Sequence, residues 1–343
     1  MKKRIALVVD VENWAFYNIA MQIEKRLNSF YDFKIIPMSN IKENIVLCML
    51  LCQTCDLVHF FWRGYIELFN TTFTKEYIKS LGMTEEDFYH KFIENKIITT
   101  AIYDHLFLTG EDLEMTKRII SFSDFYYTSS HKLFKLYNKI KGVKKPNCVI
   151  TDGVDLDCFY PINLERFSDL NNRKLIIGWV GNSKWGEDGE DFKGVNTIIK
   201  PAIDALKLEG YNVDAYFADR NVKMIPHYEM NNYYASIDIY ICASINEGTP
   251  NPILESMACG VPIITTDVGI VKEAFGRKQS KYILKERTVE SLKTVIKKLV
   301  EEKKVLAELS IENLERIKDW SWANKTKEFH NFFEMCLKEK KND

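Results

Sequence analysis

The stretch from Glu247 to Pro262, EGTPNPILESMACGVP, decides the fold of this chain. It follows an apolar run, Ile237 to Ala243, which predicts a buried strand. The second proline of the stretch suits the first turn of a helix, and the closing glycine and proline predict the end of that helix. Glu247 is therefore predicted to precede a helix N-terminus, with Glu255 about one turn inside the helix.

This arrangement of groups is suited to a nucleotide-sugar. A helix N-terminus offers free backbone N–H groups and the positive end of a dipole, which favour a phosphate. The two flanking carboxylates accept hydrogen bonds from sugar or ribose hydroxyls. We therefore predict a donor site that includes Glu247, Gly248, Thr249, Pro250, Asn251 and Glu255.

The stretch closely resembles the E-x7-E signature of the retaining glycosyltransferases of family 4, which have the GT-B fold. The match includes Gly260-Val261-Pro262 and continues through the strand from Ile263 to Gly269, with Glu273 just after it. The resemblance implies an α/β protein with two Rossmann-like domains facing across a cleft. It also implies transfer of a sugar with retention of configuration, with Glu247 as a catalytic residue. An ordinary strand–helix–strand packing unit is the alternative.

Three further segments are similar to that family, so that the resemblance is firm over residues 148–335 and loose before them. Asp152 to Pro161 resembles the family's entry to the interdomain linker, with Asp152 in place of the usual asparagine. Tyr233 to Tyr240 resembles the segment that leads to the first glutamate. Ser321-Trp322 resembles the start of a C-terminal helix that crosses back to the first domain.

Length and composition fit two α/β domains and exclude several classes. A chain of 343 residues is too long for one ordinary core, and 46% hydrophobic residues indicate a globular protein. The net charge of −1 gives no indication of a nucleic acid partner. No apolar run reaches membrane-spanning length, and the N-terminal segment is interpreted as a buried strand and not as a signal peptide. The eight cysteines lack an extracellular framework spacing, so we expect reduced thiols in the cytoplasm.

Short apolar runs alternate with helical stretches, the pattern of parallel sheets with crossover helices. The predicted strands are Ile5–Val9, Leu57–Trp62, Ile97–Tyr103, Phe125–Thr128, Cys148–Thr151, Leu175–Val180, Val213–Ala218, Ile237–Ala243 and Pro262–Thr266, and a helix is predicted at Ala15–Leu27. The polar segment 161–173 is predicted as the linker. Residues 1–165 with a helix at about 323–340 would form the acceptor-side domain, and residues 172–320 the nucleotide-sugar domain, with the ligand at the carboxyl ends of the strands.

The resemblance also implies a cationic clamp for the donor diphosphate. Gly181, Asn182 and Lys193 occupy positions that bind the donor in the family. There an arginine and a lysine are the cations that neutralise the leaving nucleoside diphosphate. Asn182 replaces the usual arginine, and Lys184 is a candidate to supply the missing charge. A surface lysine near a helix start is the alternative for Lys193.

In the first half, the strand ending near Tyr103 is followed by Asp104 and His105. Family members often carry His-Asp at this place, and here Tyr103 occupies the histidine position. Either His105 takes the catalytic role or Asp104 orients the acceptor, and a purely structural histidine is the alternative.

The first turn of the chain carries polar residues where many relatives have a glycine-rich loop. Asp10, Glu12 and Asn13 could bind acceptor hydroxyls. The alternative is that Asp10 or Asn13 caps the following helix.

We expect no metal and no other cofactor. No Asp-x-Asp motif follows a strand where it could serve a diphosphate, and the acidic loop from Trp185 to Phe192 matches no calcium loop. Cys48, Cys52 and Cys55 have a spacing known from iron–sulfur enzymes, but they lie in an apolar helical stretch and are interpreted as core residues.

The segment from His131 to Lys145 carries six lysines and no acidic residue. A basic amphipathic helix of this kind can lie on an anionic membrane, so the stretch Lys132–Lys145 is a candidate for peripheral contact at the inner face of the membrane. A solvated face over a packed helix is the alternative.

These features and the resemblance together imply a metal-independent, retaining glycosyltransferase of the hexosyltransferase type, in bacterial cell-surface glycan or glycoconjugate biosynthesis. It would use a UDP- or GDP-sugar and a glycan, lipid-linked or protein acceptor. The alternatives are a GT-B-like nucleotide-sugar epimerase and a degenerate, non-catalytic protein that binds glycans or partners.

Overall fold

A computed structural model describes residues 2–106, 108–168, 170, 173–185 and 190–339. The chain divides into two units. Unit 1 comprises Met1–Asp152 and Lys325–Asp343, and unit 2 comprises Gly153–Asn324.

Unit 1 is built on a six-stranded parallel sheet with the strand order β2-β1-β3-β4-β5-β6. The strands are β1 (Lys3–Val9), β2 (Tyr31–Pro37), β3 (Leu57–Phe60), β4 (Ile97–Ile102), β5 (Phe125–Thr128) and β6 (Cys148–Val149). The helices are α1 (Ala15–Leu27), α2 (Ile45–Leu51), α3 (Gly64–Glu67), α4 (Thr72–Ser80), α5 (Glu85–Phe92), α6 (Gly110–Phe122) and α7 (His131–Tyr137), with 3-10 turns at Met38–Ile41 and Leu68–Asn70.

Unit 2 has a four-stranded parallel sheet with the order β10-β9-β7-β8. Its strands are β7 (Leu175–Gly181), β8 (Val213–Asp219), β9 (Ile239–Cys242) and β10 (Ile263–Thr265). Its helices are α8 (Lys200–Leu208), α9 (Met230–Ala235), α10 (Asn251–Ala258), α11 (Val271–Ala274), α12 (Val289–Glu301) and α13 (Lys304–Arg316), with a π-helical turn at Val195–Ile199 and 3-10 turns at Leu164–Phe167, His227–Glu229, Gln279–Tyr282 and Ile317–Trp320.

The last helix, α14 (Trp322–Glu339), begins in unit 2 and continues into unit 1. Its phenylalanines pack on the unit 1 sheet: the rings of Phe329 and Phe332 lie 5.7 and 5.4 Å from the ring of Tyr127. Burial of these aromatic side chains, and not intrinsic helix propensity, accounts for the position of this helix.

Every strand predicted from the sequence is present, with ends that differ by up to two residues. The prediction missed β2, because this strand lies at the edge of the sheet and buries only Tyr31 and Ile36 fully, which leaves no continuous apolar run.

The division between the units falls after Asp152, whereas the sequence placed the linker at 161–173. The intervening segment belongs to unit 2 because Val154 and Phe159 are buried in its core, and the N–H of Val154 donates to the carbonyl of Trp320 at 2.9 Å. Three residues of the predicted linker, 169, 171 and 172, lie outside the described part of the chain.

The three clustered cysteines are buried free thiols at the end of α2, as the core interpretation predicts. The basic stretch forms α7 and the turns after it. Leu133 and Tyr137 face the core, while Lys132 and Lys135 are exposed. Within the described residues, no helix is long and apolar enough to cross a membrane.

Candidate functional site

The connection from β9 to α10 has the geometry that the sequence predicts. Glu247 lies four residues before the first residue of α10, and Glu255 lies one turn inside this helix. Pro252 occupies the first turn, where a missing N–H costs no hydrogen bond. Gly260 follows the helix with a φ of +69°, a left-handed conformation that glycine adopts without steric cost.

A close backbone approach fixes the loop that contains Gly248. A Cβ atom placed on Gly269 would lie only 1.9 Å from the carbonyl oxygen of Gly248, and Gly269 has a φ of +47°. Any other residue at position 269 would displace the loop. This glycine, in the turn after β10, therefore positions the candidate donor residues.

Lys193 and Glu247, which are 54 residues apart in sequence, form an ion pair with a distance of 2.5 Å between Nζ and Oε1. Ser244 also donates to Oε1 of Glu247, at 2.8 Å. Burial lowers the pKa of Lys193, but the carboxylate of Glu247 more than compensates, so that the pKa lies above its ordinary value. Lys193 therefore carries a positive charge beside the predicted catalytic carboxylate.

Lys193 reaches this position because the backbone on either side of it is held against β9. Gly194 has a φ of +70°, and a Cβ there would lie 2.6 Å from the carbonyl oxygen of Ala243. Arg287 donates from Nε to that carbonyl at 2.7 Å and from a terminal nitrogen to the carbonyl of Asp191 at 2.6 Å. Arg287 was not predicted as part of the site, because it lies far from the motif and carries no motif of its own.

Two more side chains order the segment that contains Lys193. The Nζ atom of Lys193 lies 5.0 Å from the ring centroid of Trp185, within the range of a cation–π contact. The carboxylate of Asp191 accepts from the backbone N–H groups of Asn196 and Thr197 at 2.7 and 2.8 Å, and so closes the turn after Lys193.

Glu255 is held by a tyrosine that the sequence analysis did not single out. The hydroxyl of Tyr234, which is fully buried, donates to Oε2 of Glu255 at 2.7 Å. Burial raises the pKa of Glu255 to about 7, and the hydrogen bond from Tyr234 opposes this rise. The two glutamates of the motif therefore lie in different electrostatic environments.

Asn182 stabilises its own turn. Its Oδ1 accepts from the backbone N–H of Lys184 at 2.9 Å, which is an Asx-type turn at the carboxyl end of β7, directly after Gly181. The side chain of Lys184 is exposed. An amide that closes a turn brings no positive charge, so Asn182 cannot replace the arginine of the family, and Lys184 stays a prediction as a phosphate ligand.

In unit 1, Asp104 forms a bidentate ion pair with Arg63. The two guanidinium nitrogens lie 2.9 and 2.7 Å from the carboxylate oxygens, and Arg63 is only 3% exposed. The backbone N–H of Leu106 donates to the same carboxylate at 3.0 Å. These contacts fix the loop after β4, and His105 is exposed on that loop. The sequence analysis missed Arg63, whose partner lies 41 residues away.

Tyr103, which occupies the family's histidine position, lies in a buried polar chain. Its hydroxyl donates to Oδ1 of Asp152 at 2.9 Å and lies 3.4 Å from the hydroxyl of Tyr127. Tyr127 in turn contacts Nε2 of His59 at 3.4 Å. Complete burial lowers the pKa of His59 to about 3, so this histidine is neutral, as expected for a core residue. Tyr103 and Asp152, which both differ from the residues usual in the family, are thus hydrogen-bonded to each other.

The polar residues after β1 do not cap the next helix. The cap residue of α1 is Trp14, without a side-chain cap hydrogen bond, so the capping alternative for Asp10 and Asn13 is wrong. Asn13 has a φ of +59°, a conformation that asparagine tolerates. Glu12 accepts from Asn40 at 2.8 Å, and burial raises the pKa of Asp10. Their roles toward an acceptor stay predictions.

Among the described residues, no group of three or more histidine, cysteine, aspartate or glutamate side chains could hold a metal ion. Residues 186–189 of the acidic loop lie outside the described residues, and metal independence stays a prediction.

Comparison with known proteins agrees with this geometry. Residues 206–316 match the family model of the glycosyl transferases group 1. The matched segment lies within unit 2. The matched residues include all of α10 with its flanking strands, β9 and β10.

Two curated relatives and one solved structure extend the comparison. Protein CapJ of Staphylococcus aureus is 25% identical over a 200-residue alignment that covers 48% of this chain and 49% of CapJ. The N,N'-diacetylbacillosaminyl-diphospho-undecaprenol alpha-1,3-N-acetylgalactosaminyltransferase of Campylobacter jejuni is 24% identical over 178 residues, 48% of this chain and 47% of that protein. The chain thus spans about half the length of these relatives.

The structure of Anabaena HepE in complex with UDP and glucose matches 97% of this chain and 100% of HepE, with a TM-score of 0.68 and 12% sequence identity. At this identity the likeness concerns the fold alone. The chain has the GT-B fold, which confirms the fold class predicted from the sequence.

Proposed function

We propose that this protein is a metal-independent glycosyltransferase of family 4 that moves a sugar from a nucleotide-sugar to an acceptor hydroxyl with retention of configuration. The observation that carries the proposal is the ion pair between Lys193 and Glu247 just before the N-terminus of α10, with Glu255 one turn inside that helix. The cation and the helix N-terminus suit the central diphosphate of a nucleotide-sugar. The two carboxylates suit the hydroxyl groups at its two ends, on the ribose and on the sugar.

The roles of these groups follow from their chemistry. Lys193 and the N–H groups at Thr249 and Asn251 would bind the diphosphate and stabilise the charge that develops as the glycosidic bond breaks. Glu255 would accept hydrogen bonds from the ribose hydroxyls. Glu247 would position the donor sugar through its hydroxyls.

Retention would come from departure of the diphosphate and attack of the acceptor on the same face of the sugar. In this scheme no side chain acts as a covalent nucleophile, and positioning with electrostatic stabilisation accounts for the rate. His105 remains the candidate on the acceptor side. Asp104 is better suited to positioning the loop, since its carboxylate is bound by Arg63.

The relatives support a donor and an acceptor class. HepE binds UDP and glucose in its solved structure, and the Campylobacter transferase is named for a diphospho-undecaprenol acceptor. We propose a UDP- or GDP-sugar as the donor and a glycan, lipid-linked or protein acceptor in bacterial surface glycan synthesis. The exposed lysines of the Lys132–Lys145 stretch would hold a cytoplasmic enzyme near an anionic membrane that carries such an acceptor.

The test is release of the nucleoside diphosphate from a panel of UDP- and GDP-sugars, with pooled glycan and lipid-linked acceptors. Glu247→Gln should keep the fold and donor binding but lose most turnover, and Glu315→Gln, an exposed glutamate on α13, is the matched control. Proton NMR of the anomeric coupling in the product should show an α-linkage from an α-linked donor. A β-linkage would remove the protein from the retaining class.

The same assay separates the two alternatives. A nucleotide-sugar epimerase would convert the donor without any acceptor, and a non-catalytic binding protein would bind the donor without consuming it. The intact pair of Glu247 and Glu255 favours the transferase over the non-catalytic protein.

A further inference from the structure

Asn246, the residue before Glu247, is a buried amide without a partner. It is only 5% exposed, and neither its Oδ1 nor its Nδ2 has a hydrogen-bond partner among the described residues. A buried side-chain amide almost always has at least one partner in a folded protein, because leaving both groups unpaired opposes folding. An asparagine with both atoms unpaired, next to the candidate catalytic glutamate, therefore needs an explanation.

The surrounding loop contains a second group of the same kind. Oδ1 of Asn251, at the start of α10, is also buried without a partner. The carboxylate of Glu247, between the two asparagines in sequence, already binds Lys193 and Ser244 through one oxygen. The loop thus combines an engaged carboxylate with two carboxamides that have unused hydrogen-bonding capacity.

The chemistry of an amide selects the ligand. A phosphate oxygen only accepts hydrogen bonds, so it could satisfy the Nδ2 of Asn246 but not its Oδ1. Hydroxyl groups both donate and accept, and two neighbouring sugar hydroxyls could satisfy both atoms. The carboxylate of Glu247, the next residue, can only accept hydrogen bonds. The amide nitrogen of Asn246 would therefore be the hydrogen-bond donor that these two side chains offer to a sugar.

We propose that Asn246 is a specificity-determining residue that binds hydroxyl groups of the donor sugar through both ends of its amide. This inference rests on the proposed function, because it assumes that the loop before α10 receives a nucleotide-sugar. It assigns the recognition of the sugar, as distinct from the nucleoside diphosphate, to a residue outside the E-x7-E signature.

The test compares Asn246→Leu with Asn313→Leu. Leucine has a similar size and no polar group, so Asn246→Leu should unfold at the same temperature as the wild type or higher. Asn313 is also buried in unit 2, but its Nδ2 donates to the carbonyl of Val261 and to Oε1 of Gln279, at 3.0 and 2.9 Å. Asn313→Leu should therefore unfold at a lower temperature and still bind the ligand normally.

Ligand affinity is measured by calorimetry with UDP, GDP, UDP-glucose, UDP-N-acetylglucosamine and GDP-mannose. For the nucleotide-sugar that the wild type binds best, Asn246→Leu should weaken binding about tenfold or more, with the affinity for the free nucleoside diphosphate unchanged within about twofold. Asn246→Ala, which adds no bulk, should show the same selective loss.

Three outcomes would overturn the inference. The first is an equal loss for the nucleotide-sugar and the free diphosphate, which would assign Asn246 to the nucleotide. The second is unchanged affinity for both. The third is a strong loss of stability in both Asn246→Leu and Asn246→Ala, which would show that the amide of Asn246 has a partner in the fold. A wild type that binds none of the five compounds would instead refute the proposed function, and the inference with it.

Discussion

The raised pKa of Glu255 leads to a prediction for the pH dependence of stability. Burial raises this pKa to about 7 in the folded protein, from an ordinary value of 4.5. The folded state therefore holds a proton at pH 5 to 7 that the unfolded chain has largely released. Glu255→Gln removes the titrating group but keeps an oxygen that can accept from Tyr234.

The sign and size follow from linkage. Because the folded pKa is raised, the contribution of Glu255 to stability is fully present below the unfolded pKa of 4.5 and is lost as the pH rises through about 7. One pKa unit corresponds to about 1.4 kcal/mol, so the full difference is about 3 kcal/mol, of which about 2.5 kcal/mol falls between pH 5 and pH 8. The side chain is partly exposed, so we expect about 2 kcal/mol.

The measurement is urea unfolding followed by tryptophan fluorescence at pH 5 and pH 8. Trp179, 1% exposed in the core of unit 2, reports on the unit that contains Glu255. The free energy of unfolding of Glu255→Gln, relative to wild type, should rise by about 2 kcal/mol from pH 5 to pH 8. The exposed control Glu315→Gln should show no such rise.

The same titration affects ligand binding. If ribose hydroxyls donate to Glu255, binding favours the ionised carboxylate, so donor affinity should increase as the pH rises through about 7. Glu255→Gln should flatten that profile. A stability difference between wild type and Glu255→Gln that is equal at pH 5 and pH 8 would refute the reasoning, because the carboxyl group would then titrate as in the unfolded chain.

Two further predictions concern charged pairs. Lys193→Ala should lower kcat/KM far more than Lys184→Ala, because Lys193 is paired with the candidate catalytic carboxylate of Glu247 and Lys184 is exposed. Steady-state kinetics with the best donor is the test, and a larger effect of Lys184→Ala would show that Lys184 supplies the diphosphate charge. Asp104→Asn should lower the free energy of unfolding by about 3–5 kcal/mol, because it removes the carboxylate that pairs with the buried guanidinium of Arg63. A decrease below about 1 kcal/mol in urea unfolding would contradict a structural role for Asp104.

The sequence predicted the parts of the molecule that depend on local pattern. The strands are visible as apolar runs, and the turn into α10 is visible because proline and glycine have restricted or special backbone conformations. The edge strand β2 was missed because an edge position buries few of its side chains. The resemblance predicted Lys193 as a residue of the site. Its ion pair with Glu247 could not be predicted, because spacing along a chain does not determine which side chains meet.

The partners that fix the candidate residues were the least predictable part of the site. Tyr234, Arg63 and Arg287 lie 21, 41 and 96 residues from the groups that they bind. Their role is visible only once the fold brings distant segments of the chain together. Tyrosine and arginine are common residue types, so their presence alone gave no signal.

The ion pair between Lys193 and Glu247 has a consequence for how a diphosphate would be held. An ammonium already paired with a carboxylate at 2.5 Å presents little net charge to a second anion, although its remaining N–H donors can still form hydrogen bonds. Because Asn182 closes its own turn and carries no charge, we expect the positive potential for a diphosphate to come largely from the N-terminus of α10. The close approach of Gly269 to Gly248 then matters for function, because the loop must hold those N–H groups in place before the ligand arrives. On this argument Lys193 positions Glu247 as much as it binds the leaving group.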